Sequence, residues 1–177
     1  MRELELRLIA ELMKNSRRSD RDLAKTLNVS QPTVSRAIKR LEKEGYIREY
    51  TAIPDFCRLG FDLMSVSFVK FRASTTAGDI ERMRKNASEF ESQSGIPSLL
   101  IMNGMGLGSD RIIIMHHRNY SSYSRLVSIM KDRARGNVEK FESFLVSLND
   151  RTHYQPLTLA ALARFLSHTA KESKEKT

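Results

Sequence analysis

Between Ser19 and Gly45 the chain carries, in order, the backbone signals that two short helices need if they are to cross steeply at a tight turn. Ser19 caps a helix whose first turn holds Asp20 and Asp22, the charge sign favoured at a helix N-terminus. Leu23, Ala24 and Leu27 form its inward side, and Ala24 is small enough for a close crossing. Asn28, of a residue type that tolerates left-handed backbone, ends it. Ser30 then caps a further helix, Pro32 occupies the first turn, where a missing N–H costs nothing, and Gly45 supplies the exit. Counting about 100° per residue from Val34, the residues Ala37, Ile38 and Leu41 share its face, while Pro32, Arg36, Lys39, Arg40 and Lys43 point away. The helix therefore protrudes with an almost wholly cationic outer face.

A helix of this kind fits the major groove of double-stranded DNA, where amides, hydroxyls and guanidinium groups read base edges. Gln31, Pro32, Thr33, Ser35, Arg36 and Lys39 are the candidates for base reading. Arg17, Arg18, Ser19, Arg40, Lys43 and Arg48 are the candidates for phosphates, which set register and salt dependence. A cationic helix face alone is an ordinary solvated surface; its conjunction with caps, turn residue and small crossing residue points to DNA. Upstream, Leu4, Leu8, Ile9 and Leu12 make an apolar stripe over residues 3–14, beside Glu3, Glu5, Arg7, Glu11 and Lys14. Downstream, Tyr46 to Ile53 has the β-prone residues of a short hairpin, a wing.

Charge supports the same partner. The 177 residues carry a formal +9, distributed as +4 over residues 1–53, +2 over 62–150 and +3 over 151–177. An anionic partner follows, and nucleic acid is favoured over a membrane surface because no long basic amphipathic helix accompanies the charge. No apolar run approaches the roughly 18 residues of a spanning helix, and the start lacks the apolar core of a signal peptide, so a cytoplasmic protein is expected. Cys57 is the sole cysteine, which excludes an intrachain disulfide and thiolate-rich metal sites. No cofactor and no metal are expected.

Residues 54–62 read as a hinge or linker strand, and 63–150 as a second module. Leu63 to Phe71 alternates as a strand, and Thr76 caps a helix with Ile80, Met83, Ala87 and Phe90 inward. Ser98–Met102 and Arg111–Met115 suit antiparallel strands around a glycine-rich turn. A helix follows over about 121–134. The last strand, Val138 to Leu148, sets Phe141, Ser143 and Leu145 against Glu142, Phe144 and Val146. The order βαββαβ predicts a ferredoxin-like sandwich, so the whole chain is α+β. Large apolar residues on both faces of the last strand point to a further subunit covering the sheet. Residues 151–177 form an extension with an apolar helix at 156–166 and a polar end.

On these residues the chain resembles the Lrp/AsnC family of prokaryotic transcription regulators. The stretches that carry the likeness are Asp22-Leu23-Ala24-Lys25 through Val29-Ser30, Val34 to Ile47 with its Leu41-Glu42-Lys43-Glu44-Gly45-Tyr46-Ile47 exit, and Leu59-Gly60-Phe61-Asp62-Leu63. The resemblance implies a regulator that dimerises through its sheets, assembles further, and holds a small effector, often an amino acid, between subunits. The family's effector loop reads Gly-x-Tyr/Phe-Asp; here Asn103 to Asp110 keeps Asp110 but has extra glycines and no aromatic residue. Gly104, Gly106, Gly108, Ser109 and Asp110 are the effector candidates, with a plain hairpin the alternative. A phosphate cradle is disfavoured because the loop joins two strands, not a strand and a helix.

A second functional class stays open. Two-module chains resembling this family also occur as decarboxylases of sirohaem-type tetrapyrroles, for which His116, His117, Arg111 and Arg118 would handle propionates. The intact cationic helix argues against it. His116 and His117 are adjacent on a strand and point to opposite faces, so they do not chelate one metal.

Overall fold

Capping builds the first unit. The computed structural model describes residues 2–86, 95–133, 136–150, 152 and 157–175. Helices α1 (Glu3–Lys14), α2 (Asp20–Leu27) and α3 (Gln31–Lys43) are where the caps place them. The Ser19 hydroxyl accepts the Asp22 N–H at 3.2 Å, and that of Ser30 accepts the Thr33 N–H at 3.4 Å. Asn28 adopts φ 55°, ψ 51°, and the following Val29 N–H turns back to the Ala24 carbonyl at 3.1 Å. Leu8, Leu12, Leu23, Ala24, Leu27, Val34 and Leu41 close one core.

Two expectations are corrected here. Tyr46–Ile53 forms no strand; it leaves α3 through Gly45 at φ 76° and runs on without a pairing partner of its own. The Tyr46 and Ile47 N–H groups both donate to the Leu41 carbonyl, at 2.9 and 3.2 Å, so the start of the segment closes off α3 and does not enter a ladder. Glu5, expected on the polar side of α1, is buried. The C-terminal extension, an apolar helix as expected, belongs with the first unit: residues Gln155–Thr177 group with Met1–Ile53, and Pro54–Tyr154 form the other unit. Its helix, α6 (Ala160–Glu175), packs along α1, and Ala10 and Ala163 are both fully buried, small residues that let helices approach closely. In this way α1 is covered on two faces, with Leu6 and Met13 half-buried away from the main core.

The second unit is a four-stranded antiparallel sheet in the order β2-β3-β1-β4, with β1 Leu63–Phe71, β2 Ser98–Gly106, β3 Ser109–His117 and β4 Val138–Ser147. Helices α4 (Ala77–Lys85) and α5 (Tyr120–Arg133) complete the βαββαβ order. Thr76 caps α4 reciprocally with Asp79, and the expected helix positions Ala87 and Phe90 lie outside the described residues. Val69, Phe71, Ile96, Ile113, Met115 and Leu126 are the core, joined by Phe141. The opposite face brings Val66 beside Ile114 and Phe144, and Phe68 beside Ile112. Leu100 and Met102 of β2 continue it, and Met102 and Phe144 are 55% and 67% exposed.

The linker is a turn, not a strand: the Leu59 N–H reaches the Asp55 carbonyl at 3.3 Å and Gly60 takes φ 82°. Phe56 then stacks on His116, ring centroids 4.0 Å apart.

Candidate nucleic-acid interface

Helix α3 is held on three sides and bare on the fourth. Toward α2, the Ser35 hydroxyl donates to the Asp20 carboxylate. Toward α1, the Arg40 guanidinium pairs with buried Glu5, whose other oxygen accepts the Arg2 backbone N–H at 2.7 Å. From the segment beyond α3, the Tyr50 hydroxyl donates to Glu42 at 2.8 Å. The fourth side carries Pro32, Arg36, Lys39 and Lys43, all exposed, with Gln31 exposed at its N-terminal end and Thr33 half-buried. The Arg36 Nε donates to the Pro32 carbonyl at 3.2 Å, which folds the guanidinium along the helix.

The phosphate candidates divide. Arg17, Lys43 and Arg48 are exposed. Arg18 is engaged inside the unit, pairing with Glu11 and donating to Thr26 and to the Asp22 carbonyl. Burial raises the Glu11 carboxyl, but Lys14 and Arg18 outweigh it and the group ends below its usual range. Arg40 is engaged likewise, with its Nε 3.8 Å from Glu44 as well. Ser19 serves as the α2 cap, donating to the Asp22 carboxylate at 2.6 Å and holding that group below its ordinary value.

Sequence reasoning missed Glu5, Glu11 and Asp20, the carboxylates that fix the helices. A signal existed for the first: Glu5 stands three, four and seven positions before Leu8, Ile9 and Leu12, the spacing of an inward residue. Arg21 and Lys25, exposed on α2, add cations that the candidate set omitted.

In the second unit the expected glycine loop is mostly ladder. β2 and β3 are joined by Leu107 and Gly108 alone, both at positive φ, 51° and 65°. That is the backbone a two-residue hairpin requires, and it turns most of the expected loop into strand. Gly104 and Gly106 belong to β2 and Ser109 to β3. Asp110 spans to β1, accepting the Phe71 N–H at 2.9 Å and the Lys70 ammonium at 3.0 Å; these two bonds, in that order, hold its carboxyl low.

The four residues cited for tetrapyrrole chemistry are not gathered at one site, although His116 and Arg118 both meet the Phe61 ring. His116 stacks on Phe56, while His117, 1% exposed, shares a 2.8 Å hydrogen bond with Ser65 and meets the Tyr123 ring edge-on. Arg111 lies over Phe71 and Arg118 over Phe61. Arg111 and His117 sit six positions apart along β3, about 20 Å at the rise of a strand.

Residues 1–48 match the family described as winged helix-turn-helix DNA-binding. An uncharacterized HTH-type transcriptional regulator of Pyrococcus abyssi is 37% identical over 81 residues, 46% of this chain and 54% of that one. The chain thus spans about half the length of several of the curated relatives that it matches. One of Pyrococcus horikoshii is 28% identical over 146 residues, 81% of this chain and 90% of the relative. Its crystal structure superposes with a TM-score of 0.71 at 24% identity over 89% of this chain and 97% of that one. An AsnC family regulator from Agrobacterium tumefaciens gives 0.71 at 20% identity, covering 92% and 99%. A Neisseria meningitidis regulator in complex with L-Met gives 0.68 at 18%, covering 92% and 99%. These structures share the fold of the chain. Among the described residues no helix is long and apolar enough to cross a membrane.

Proposed function

We propose that this chain, of Lrp/AsnC type in fold and in sequence likeness, is a sequence-specific DNA-binding transcriptional regulator that reads a roughly palindromic operator as a dimer or higher oligomer. The observation that carries this is the exposed stripe Arg36, Lys39, Lys43 on α3, a helix fixed on its other sides. Arg36 and Lys39, with Gln31, Pro32 and Thr33, read bases; Lys43, Arg17 and Arg48 meet phosphates. Ser35, tied to Asp20, reads from the flank.

The open sheet face supports a second copy as partner: Met64, Val66, Phe68, Leu100, Met102, Ile112, Ile114, Phe144 and Val146 share one side of four strands. A contiguous exposed apolar face of this kind marks an interaction surface. An amino acid is the effector class, supported by the L-Met complex of the Neisseria relative. It meets the β2–β3 hairpin at Gly104, Gly106, Gly108 and Ser109, beside Asp110.

The test is selection of random duplex DNA by the purified chain at about 150 mM salt, where phosphate binding alone is weakened. Enrichment of a two-fold motif is expected; binding without enrichment overturns sequence-specific reading.

A further inference from the structure

Around α3, Arg40 stands only about 40° from Arg36 and about 60° from Lys43, so by position alone it borders the cationic stripe. It does not join the stripe because Glu5 holds it. Glu5 is 4% exposed, and each of its oxygens has a partner, Arg2 N–H for one and the Arg40 guanidinium for the other. A carboxylate buried this deeply loses far more by parting from its cation than a surface pair does. A phosphate therefore does not draw Arg40 away, even though a third of that side chain remains exposed.

We infer that Glu5 withholds Arg40 from the DNA backbone, and so limits the sequence-blind part of binding. This rests on the DNA-binding reading above. Sequence-blind affinity grows with each cation that meets a phosphate, and each such contact adds about 0.9 to the slope of log K against log salt. Base reading by Arg36 and Lys39 is unaffected by that increment, so an additional phosphate contact raises binding to every sequence alike, and its signature is the salt slope and not the choice of site.

The experiment measures the salt slope for a random-sequence duplex with four full-length chains: unaltered, Glu5→Gln, Arg40→Met and the double variant. Glutamine keeps an acceptor for the Arg2 N–H while removing the charge that holds the guanidinium. Glu5→Gln is expected to steepen the slope by about 0.9 and tighten random-duplex binding severalfold. Arg40→Met is expected to leave the slope unchanged, and the double variant to return to it. A role in fold stability alone does not produce a steeper slope that vanishes when Arg40 is also removed. An unchanged slope in Glu5→Gln, or a shallower one in Arg40→Met, overturns the inference while DNA binding stands. No binding of any duplex by the unaltered chain overturns both.

Discussion

Tyr50 donates its phenolic hydrogen to Glu42 at 2.8 Å, binding the segment after Gly45 to the last turn of α3. Partial burial first, and then the Glu42 carboxylate, push its pKa up to about 12. A folded-state pKa above the ordinary value of 10.0 contributes stability that is full below pH 10 and is lost as pH rises toward 12. Ultraviolet titration of the five tyrosines should show one ionising near pH 12, absent in Tyr50→Phe. A Tyr50→Phe chain that keeps the late-titrating tyrosine assigns it to another residue.

Arg36→Ala should weaken operator binding by about 1–3 kcal/mol and random-duplex binding by less, the mark of a base-reading guanidinium. Competition titrations of both duplexes at one salt concentration check it. Equal losses on the two make Arg36 a phosphate contact.

His117 is buried against Ser65 with its Nδ1 unpartnered among the described residues, and burial, followed by the charge of His116, lowers its pKa from 6.5 to about 4. The fold favours the neutral ring. Stability is therefore complete above pH 6.5 and falls as pH drops toward 4, where the unfolded chain binds a proton that the folded one refuses. His117→Gln should flatten the dependence of urea midpoint on pH across that interval. An identical acid limb in the variant places the sensitivity elsewhere.

Phe144→Glu puts a charge on the open sheet face at its β4 edge strand, beside Val66 and in line with Glu142. If this face joins two copies as proposed, sedimentation should show the unaltered chain as a dimer and the variant as a monomer, with the helical content of the unit intact. Unchanged sedimentation moves the subunit contact off this face.

Asp110→Ala removes the acceptor of the Phe71 N–H and the anion beside Lys70. Amide exchange at Phe71 should accelerate while Phe68, at the centre of β1, keeps its protection. Matching protection of Phe71 in both chains shows that this bond does not hold the strand.

The parts of the fold that could be read from residues are those governed by local rules. Ser19, Asn28, Ser30 and Gly45 act within one turn of themselves, and their helices stand where the caps predict. The strand and helix order of the second unit was equally legible, because apolar alternation reports burial directly. What escaped was pairing over distance. That Arg18 meets Glu11, that Arg40 meets Glu5, and that Ser35 meets Asp20 depends on how helices cross, which a periodicity count cannot weigh. The same limit explains the glycine loop: Leu107 at φ 51° is an unusual residue for left-handed backbone, so the two-residue turn was not visible in its composition. The cationic stripe on α3 was therefore legible as a helix face, whereas the carboxylate partners of Arg18 and Arg40 were not.

The packing of α6 on α1 joins residues from opposite ends of the chain: Ala10 and Ala163 are 153 positions apart. Contacts of such separation form slowly, since the intervening chain must be brought to closure before they repay it. Synthesis proceeds from the N-terminus, so α1, α2 and α3 leave the ribosome with the outer face of α1 still wet, and the whole sandwich is made before its cover exists. A fragment ending at Ile53 is on this view not a domain but an incomplete one, because the outer face of α1 stays uncovered until α6 has been made.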